Sequence, residues 1–152
     1  MATPRQILVT KGVGNYEVSM NNSTDAVCPG HIVTTTGQTP DTRDVAWPDA
    51  ASDIALGVVG CSPGHDLDTP YTVGEMMPVY RKGGRAQVWV RVLTSAGAIK
   101  IGTRLMHHGG TAVDGLACLA ADSATLFNDY LGIATMDSPD VAAERWCMII
   151  LG

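Results

Sequence analysis

Short β-type segments, each bounded by glycine, proline, aspartate or asparagine, follow one another along this chain. The clearest spans residues 85–92, where three valines alternate with Gln87, Trp89 and Arg91. This period of two is that of a strand with one face in a core. Further strands are predicted at residues 6–10, 31–36, 54–59, 76–80, 98–101, 131–135 and 147–151. The predicted fold is all-β, mainly strand with one or two short helical turns, in a compact barrel or sandwich.

The connections between these segments carry their own local signals. Residues 81–84 include two adjacent glycines, which can adopt the positive φ that a hairpin turn requires. We therefore predict a hairpin between the strands at 76–80 and 85–92. The windows 122–130 and 138–140 begin with residues typical of helix starts and predict short helical turns. Residues 41–53 are polar and interrupted by proline, which predicts an ordered loop.

A faint internal repeat divides the chain into two parts. Residues 28–33 resemble residues 100–105, and each copy continues through a second glycine to a closing apolar strand. The matched positions, roughly 70 residues apart, are Gly30 with Gly102, Gly57 with Gly132, and Met77 with Met148. The matches are short and glycine and valine are common here, so chance similarity is the alternative. A true duplication predicts two similar β units that share one core.

Composition excludes several functional classes. Of the 152 residues, 45% are hydrophobic and 16% are charged, whereas disordered chains combine many charges with few apolar residues. The formal net charge of -5 provides no basic field for nucleic acid. No apolar run approaches the ~20 residues of a membrane helix or the shorter stretch of a signal peptide. We expect neither nucleic acid nor membrane as a partner, and synthesis in the cytoplasm.

Residues able to carry out chemistry do not form a recognisable site. His107 and His108 could meet a metal with Cys118 or Asp114, but their spacing fits no established zinc pattern. Residues 62–66 contain serine, histidine and aspartate, yet consecutive positions cannot easily align a nucleophile, a base and an orienting acid. We predict that the chain is not an enzyme and has no catalytic residues, no metal site and no cofactor.

The cysteines are expected to be free thiols. They lack a CxxC spacing, and each lies in or beside an apolar stretch. Buried free cysteines are therefore favoured over disulfides. The four residues are Cys28, Cys61, Cys118 and Cys147.

One face of a predicted strand is the best candidate for contact with another protein. Alternation places Arg85, Gln87, Trp89 and Arg91 opposite the valines of residues 85–92. Tryptophan and arginine are enriched at binding hot spots. The alternative is that another sheet buries Trp89, with arginine stems packed along it. We predict these four residues as a subunit or partner interface.

The order of segments in the second half of the chain resembles that of a known protein family. A glycine-led strand at residues 99–105 precedes a turn at 109–113, an alanine-rich segment at 117–124, a Leu-Gly-Ile-Ala strand at 131–134 and an apolar strand at 147–151. This order resembles the small β-rich head decoration, or capsid cement, proteins of tailed viruses, over roughly residues 27–152. The four cysteines and residues 41–53 depart from the family's pattern.

The resemblance implies a structural role in the virion. Proteins of this family bind the outer face of an expanded capsid, commonly as trimers at threefold positions, and reinforce the joints between capsomers. It implies here a partly flexible N-terminal arm over residues 1–26 and a single decoration-type domain over 27–152. The implied partners are the major capsid protein and further copies of the chain in a homotrimer. The implied location is the capsid surface, after synthesis in the host cytoplasm.

Two other functions stay open. One is a tail or fibre component with the same β architecture. The other is a barrel that binds a small ligand or sugar, with weak hydrolase activity at His107 and His108.

Overall fold

The chain is described from a computed structural model that covers residues 9–11, 16–24, 26–48, 53–93, 97–108, 116–119, 130–138 and 145–152. Over these ranges all regular structure is strand, which confirms the predicted all-β class, and no helix suited to crossing a membrane occurs in them. The strands are β1 (Val9–Lys11), β2 (Tyr16–Asn21), β3 (Ile32–Thr39), β4 (Thr42–Ala46), β5 (Ala55–Val59), β6 (Met76–Arg81), β7 (Gln87–Val92), β8 (Arg104–His107), β9 (Ala117–Leu119), β10 (Tyr130–Ala134) and β11 (Arg145–Leu151).

Ten of these strands form two rings of five. In the first barrel β2, β4, β3, β5 and β6 pair in that order, and β6 closes the ring onto β2. The other sheet has six strands in the order β1, β7, β11, β10, β8 and β9, and one parallel residue pair, Val92 with Ala117, brings β9 back to β7. We call the ring of β7, β9, β8, β10 and β11 the second barrel, and β1 pairs with the start of β7. The described part of the predicted arm therefore contains β1 and β2; whether residues 1–26 act as an arm stays a prediction.

The two barrels have the same topology, strand for strand. Counted along the chain, the first and third strands of each ring pair in parallel, β2 with β4 and β7 with β9. All other neighbouring strands pair antiparallel. The register agrees as well, because Val33 pairs with Gly57 in the first barrel and Leu105 pairs with Gly132 in the second. The chain is thus built from two similar β units, as the internal repeat predicted, but each unit has its own apolar interior instead of the one shared core that was expected.

The turns before β3 and β8 repeat the same hydrogen bonds. Gly30 and Gly102 have left-handed backbones, with φ of 89° and 86°. Their N–H groups donate to the carbonyl oxygens of Val59 and Ala134, each at 2.8 Å. These glycines are therefore structurally equivalent, and glycine is the residue that adopts this backbone without strain.

Each barrel has its own apolar interior, and the two barrels pack side by side. The interior of the first comprises Val27, Val33, Val45, Val59, Tyr71, Met77 and Val79. Three buried residues on its outside, Ile32, Ala55 and Val58, instead join the cluster that fills the second barrel. That cluster includes the valines of β7. The apolar contact between the barrels and the interior of the second barrel thus form one continuous cluster.

The predicted hairpin is wrong. β6 belongs to the first barrel and β7 to the second, so residues 82–86 link the barrels instead of folding one strand onto the next. Gly83 has the expected positive φ of 87°. However, β6 is already paired on both sides, with β2 and with β5, and no free edge remains for β7.

Three other local predictions differ from the structure. Residues 98–101 are not a strand, because the left-handed turn at Gly102 interrupts the extended chain and β8 begins only at Arg104. Residues 41–53 contain β4, which places Val45 in the first barrel. The internal repeat matched Met77 with Met148, but the strand pairings make Cys147 the structural equivalent of Met77. Both predicted helical turns fall almost wholly outside the described residues, apart from Tyr130 in β10 and Ser138.

Candidate interaction surface

The four residues predicted as an interface lie where the two barrels meet. Arg85 is exposed in the turn before β7, and Gln87 is half-buried with its Nε2 donating to Met148 Sδ at 2.9 Å. Trp89 and Arg91 are only 9% and 8% exposed. The predicted alternation is confirmed, because the valines of β7 enter the barrel core and Trp89 packs on the opposite side. Contact of these residues with another chain stays a prediction.

Arg91 attaches a turn of the first barrel to the second. Its Nε donates to the Pro29 carbonyl oxygen at 2.9 Å, and its backbone N–H donates to the Gly30 carbonyl oxygen at 3.0 Å. Nη2 donates to the Leu67 carbonyl oxygen. The guanidinium lies over the Trp146 ring, 4.6 Å from its centre, in a cation–π contact. A Cβ on Gly30 would collide with that ring, so the turn sits directly on Trp146.

His31 follows this turn and is buried beside it. Its Nδ1 accepts the Cys28 backbone N–H at 2.9 Å, and its ring meets Trp47 edge-on at 4.9 Å between centres. Burial, and secondarily the positive charge of Arg91, lower the pKa of His31 to about 3. The imidazole is therefore neutral near pH 7 and acts as a hydrogen-bonded part of the junction.

The His107–His108 pair lies at the end of β8. His107 is fully buried and pairs with Ala117, whereas Cys118 pairs with Met106. Across the residues that the structure describes, no three histidine, cysteine or acidic side chains group as metal ligands do. Asp114 lies outside those residues.

Residues 62–66 form a turn after β5. The His65 N–H donates to the Ser62 carbonyl oxygen at 2.9 Å, and the Ser62 hydroxyl shares a hydrogen bond of 2.9 Å with the Tyr71 hydroxyl. The His65 ring stacks on Tyr71 at 4.0 Å between centres. With Cys61 these residues line a pocket of about 470 Å³. Ser62 is thus bonded to a tyrosine, while His65 stacks on the same tyrosine and its Nε2 lies 3.4 Å from Glu75 Oε1.

All four cysteines are free thiols, as predicted, although only Cys147 is fully buried. Burial raises the pKa of Cys147 to about 11, and it also raises the pKa values of Cys61 and Cys118. A thiol with a raised pKa is protonated near neutral pH and is a poor nucleophile.

The outer face of β2 and β6 is apolar and largely exposed. It consists of three cross-strand pairs, Tyr16 with Tyr80, Val18 with Pro78, and Met20 with Met76. Tyr16, Val18 and Met76 are 48%, 53% and 47% exposed. We call these six residues the β2–β6 face. Alternation within residues 16–21 is a strand signal, but the resemblance placed those residues in an arm, so this face was missed.

A second apolar surface lies on the second barrel. Ile133 and Ile150 pair across β10 and β11, and Ile101 precedes Gly102 in the turn before β8. These isoleucines are 40%, 41% and 68% exposed, and we call them the isoleucine patch. In the part of the chain that is described, eight large apolar side chains are exposed, and six of them lie on these two surfaces.

Two phage head structures share this fold. The N base of the head fibre gp8.5 of bacteriophage phi29 aligns with a TM-score of 0.54 and 14% identity, over 90% of this chain and 94% of that one. A chain from the capsid of Myoviridae phage XM1 aligns with a TM-score of 0.56 and 12% identity, over 99% of this chain and 90% of that one. No protein family and no curated protein sequence matches the chain. The predicted resemblance to phage head proteins is thereby confirmed at the level of the fold.

Proposed function

We propose that this chain is a structural, non-enzymatic virion protein that binds the outer surface of a tailed-virus capsid and stabilises the shell. The observation that carries the proposal is the two-barrel fold, which two phage head structures share over nearly their whole length. The described side chains fit such a role, because Ser62 bonds to the Tyr71 hydroxyl in a turn and Arg91 bonds to the Pro29 carbonyl oxygen at the barrel junction.

The proposed partners are the major capsid protein and further copies of the chain, arranged as a homotrimer at threefold positions. The β2–β6 face and the isoleucine patch support contact with other protein surfaces, because contiguous exposed apolar patches mark interaction sites. Around a symmetric shell, many modest contacts act together, and multivalency converts them into firm attachment.

Cryo-electron microscopy of expanded shells, with and without the purified chain, tests this proposal. We expect added density on the outside of the shell at threefold positions and a higher temperature of shell disassembly. Shells that bind no chain under conditions where the chain is folded would overturn it. Shells incubated with the thermally unfolded chain provide the control for non-specific adsorption.

A second candidate is that the chain forms the capsid-proximal base of a head fibre. The fold match to the N base of the phi29 head fibre favours this alternative. On native virions, density that continues outward from the two barrels as a fibre would support it. Density that ends at the barrels would support the decoration role.

A further inference from the structure

The exposed face of the first barrel corresponds to a buried face of the second. In the shared register, Val18 corresponds to Trp89 and Met76 to Trp146. Trp89 and Trp146 are 9% and 2% exposed because the first barrel covers them. Among the residues that the structure describes, none covers Val18 and Met76 in the same way, and each is about half-exposed. The β2–β6 face is thus one half of a barrel junction whose other half is missing.

The isoleucine patch corresponds to the surface that does the covering. Ile101 is equivalent to Pro29, whose turn sits on Trp146, and Ile133 is equivalent to Val58, which is buried against the second barrel. A Cβ on Gly102 would meet no atom within 4 Å, whereas one on the equivalent Gly30 would strike the Trp146 ring. The second barrel therefore carries the covering half of a junction, and no described part of the chain lies beneath its Gly102 turn.

We propose that the isoleucine patch of one copy docks on the β2–β6 face of the next copy, so that the contact between chains repeats the junction within the chain. This inference rests on the self-association in the proposed function and names the two surfaces that carry it. Each chain has one copy of each half, so the contact is head-to-tail. In the homotrimer of the proposed function, three chains joined in this way would form a ring of six barrels.

The side chains on the two halves suit each other. In the internal junction Arg91 bonds to the Pro29 carbonyl and lies over Trp146. At the equivalent positions the open face has Met20 and Met76, and the opposing turn has Ile101. An aliphatic turn meets two methionines, whose flexible side chains adapt to irregular apolar surfaces. At these three positions the external junction is thus apolar where the internal one is polar and aromatic, whereas Arg104 lies in the patch at the position equivalent to the buried Ile32.

Single substitutions on each half test the proposal. Val18→Asp and Ile101→Asp place a carboxylate in the middle of the proposed contact, where docking would remove it from water. We expect each to weaken self-association at least about 100-fold in sedimentation velocity, with circular dichroism spectra unchanged because both positions are exposed in the single chain. Val73→Asp is the matched control, since Val73 is 58% exposed and lies on neither surface. It should leave self-association unchanged.

Mixing the two variants tests the head-to-tail geometry itself. Val18→Asp retains a working isoleucine patch and Ile101→Asp retains a working β2–β6 face. An equimolar mixture should therefore form a one-to-one dimer that grows no further, although each variant alone stays monomeric. A contact between identical faces would instead let one variant dimerise by itself and would give no one-to-one heterodimer on mixing, and either result would overturn the proposal.

Docking between copies of the chain and binding to the capsid can fail independently of each other. A parent chain that stays monomeric, or variants that retain the parent's oligomeric mass, would overturn the docking proposal even if the chain binds shells. Normal ring formation combined with no binding to shells would overturn the capsid role and leave the docking surfaces in place.

Discussion

His31 shows how burial at a junction converts an ordinary titratable group into a pH-dependent element of stability. Its folded pKa of about 3 lies below the value of 6.5 for a free imidazole, so protons bind preferentially to the unfolded chain between these values. The contribution of His31 to the free energy of unfolding is therefore fully present above pH 6.5 and is lost as the pH drops toward 3. Within this range, protonation of this one residue lowers the free energy of unfolding by up to about 1.4 kcal/mol per pH unit.

His31→Thr should remove this slope while leaving the turn intact. In the equivalent turn of the second barrel, Thr103 Oγ1 accepts the Lys100 N–H at 3.2 Å, as His31 Nδ1 accepts the Cys28 N–H. We expect the variant to lose stability at neutral pH through lost packing, but to depend less on pH between about 6.5 and 4. Urea denaturation across that range measures both effects. Equal slopes for variant and parent would contradict the assignment.

Arg145 is a second buried charged residue with a structural role. Its guanidinium donates to three backbone carbonyls, those of Leu93 at 3.2 Å, Gly97 at 2.7 Å and Ser138 at 3.0 Å. Lysine cannot reproduce this forked geometry, so Arg145→Lys should lower the free energy of unfolding by about 3 kcal/mol. Chemical denaturation measures the loss. Arg81→Lys, at an exposed ion pair, is the control and should change stability by less than about 0.5 kcal/mol.

At the scale of elements, one glycine per barrel allows two strands to approach closely. Gly57 is the third residue of β5 and Gly132 the third of β10, and a Cβ on either would collide with a backbone carbonyl of the next strand. Gly57→Ala and Gly132→Ala should each cost about 3 kcal/mol of stability in urea denaturation. Gly37→Ala is the control, because its Cβ would make only ordinary contacts. A similar loss at Gly37 would show that the collision is not responsible, because replacing glycine by alanine without a collision restricts mainly the unfolded chain and should not lower stability.

Strands whose side chains are plainly apolar could be predicted from sequence, and strands that bury polar groups could not. β5 and β11 are nearly continuous apolar runs, and β7 alternates clearly. β2, in contrast, buries Ser19 and Asn21, and Asn21 Nδ2 donates to the Tyr71 carbonyl at 2.8 Å. Inside this barrel a hydrogen bond substitutes for an apolar contact, so the pattern in the sequence is obscured.

The candidate surfaces could be predicted only in part, because they depend on pairing between distant strands. Alternation correctly separated the two sides of β7, but residues 29–30 and Leu67, which cover Trp89 and Arg91, come from another part of the chain. The β2–β6 face likewise exists only because β6 closes the ring onto β2. Local patterns identify a face; closure of the barrels decides whether it is covered.

At the scale of the whole molecule, assembly should appear as a stability that depends on concentration. A partner copy that binds the folded chain stabilises it by mass action. We therefore expect the melting temperature of the parent chain to rise over a hundredfold increase in protein concentration, measured by calorimetry. The melting temperature of Val18→Asp should stay constant over the same range. A constant value for the parent chain would contradict self-association.

The short link of residues 82–86 between the barrels sets an order of events for such an assembly. It holds the two halves of the internal junction at a high effective concentration, in the millimolar range for short linkers, however dilute the chain is. The external junction has no such tether and forms only when enough copies accumulate. The internal junction can thus form as each subunit folds, whereas the external junction of the same geometry forms only when subunits meet.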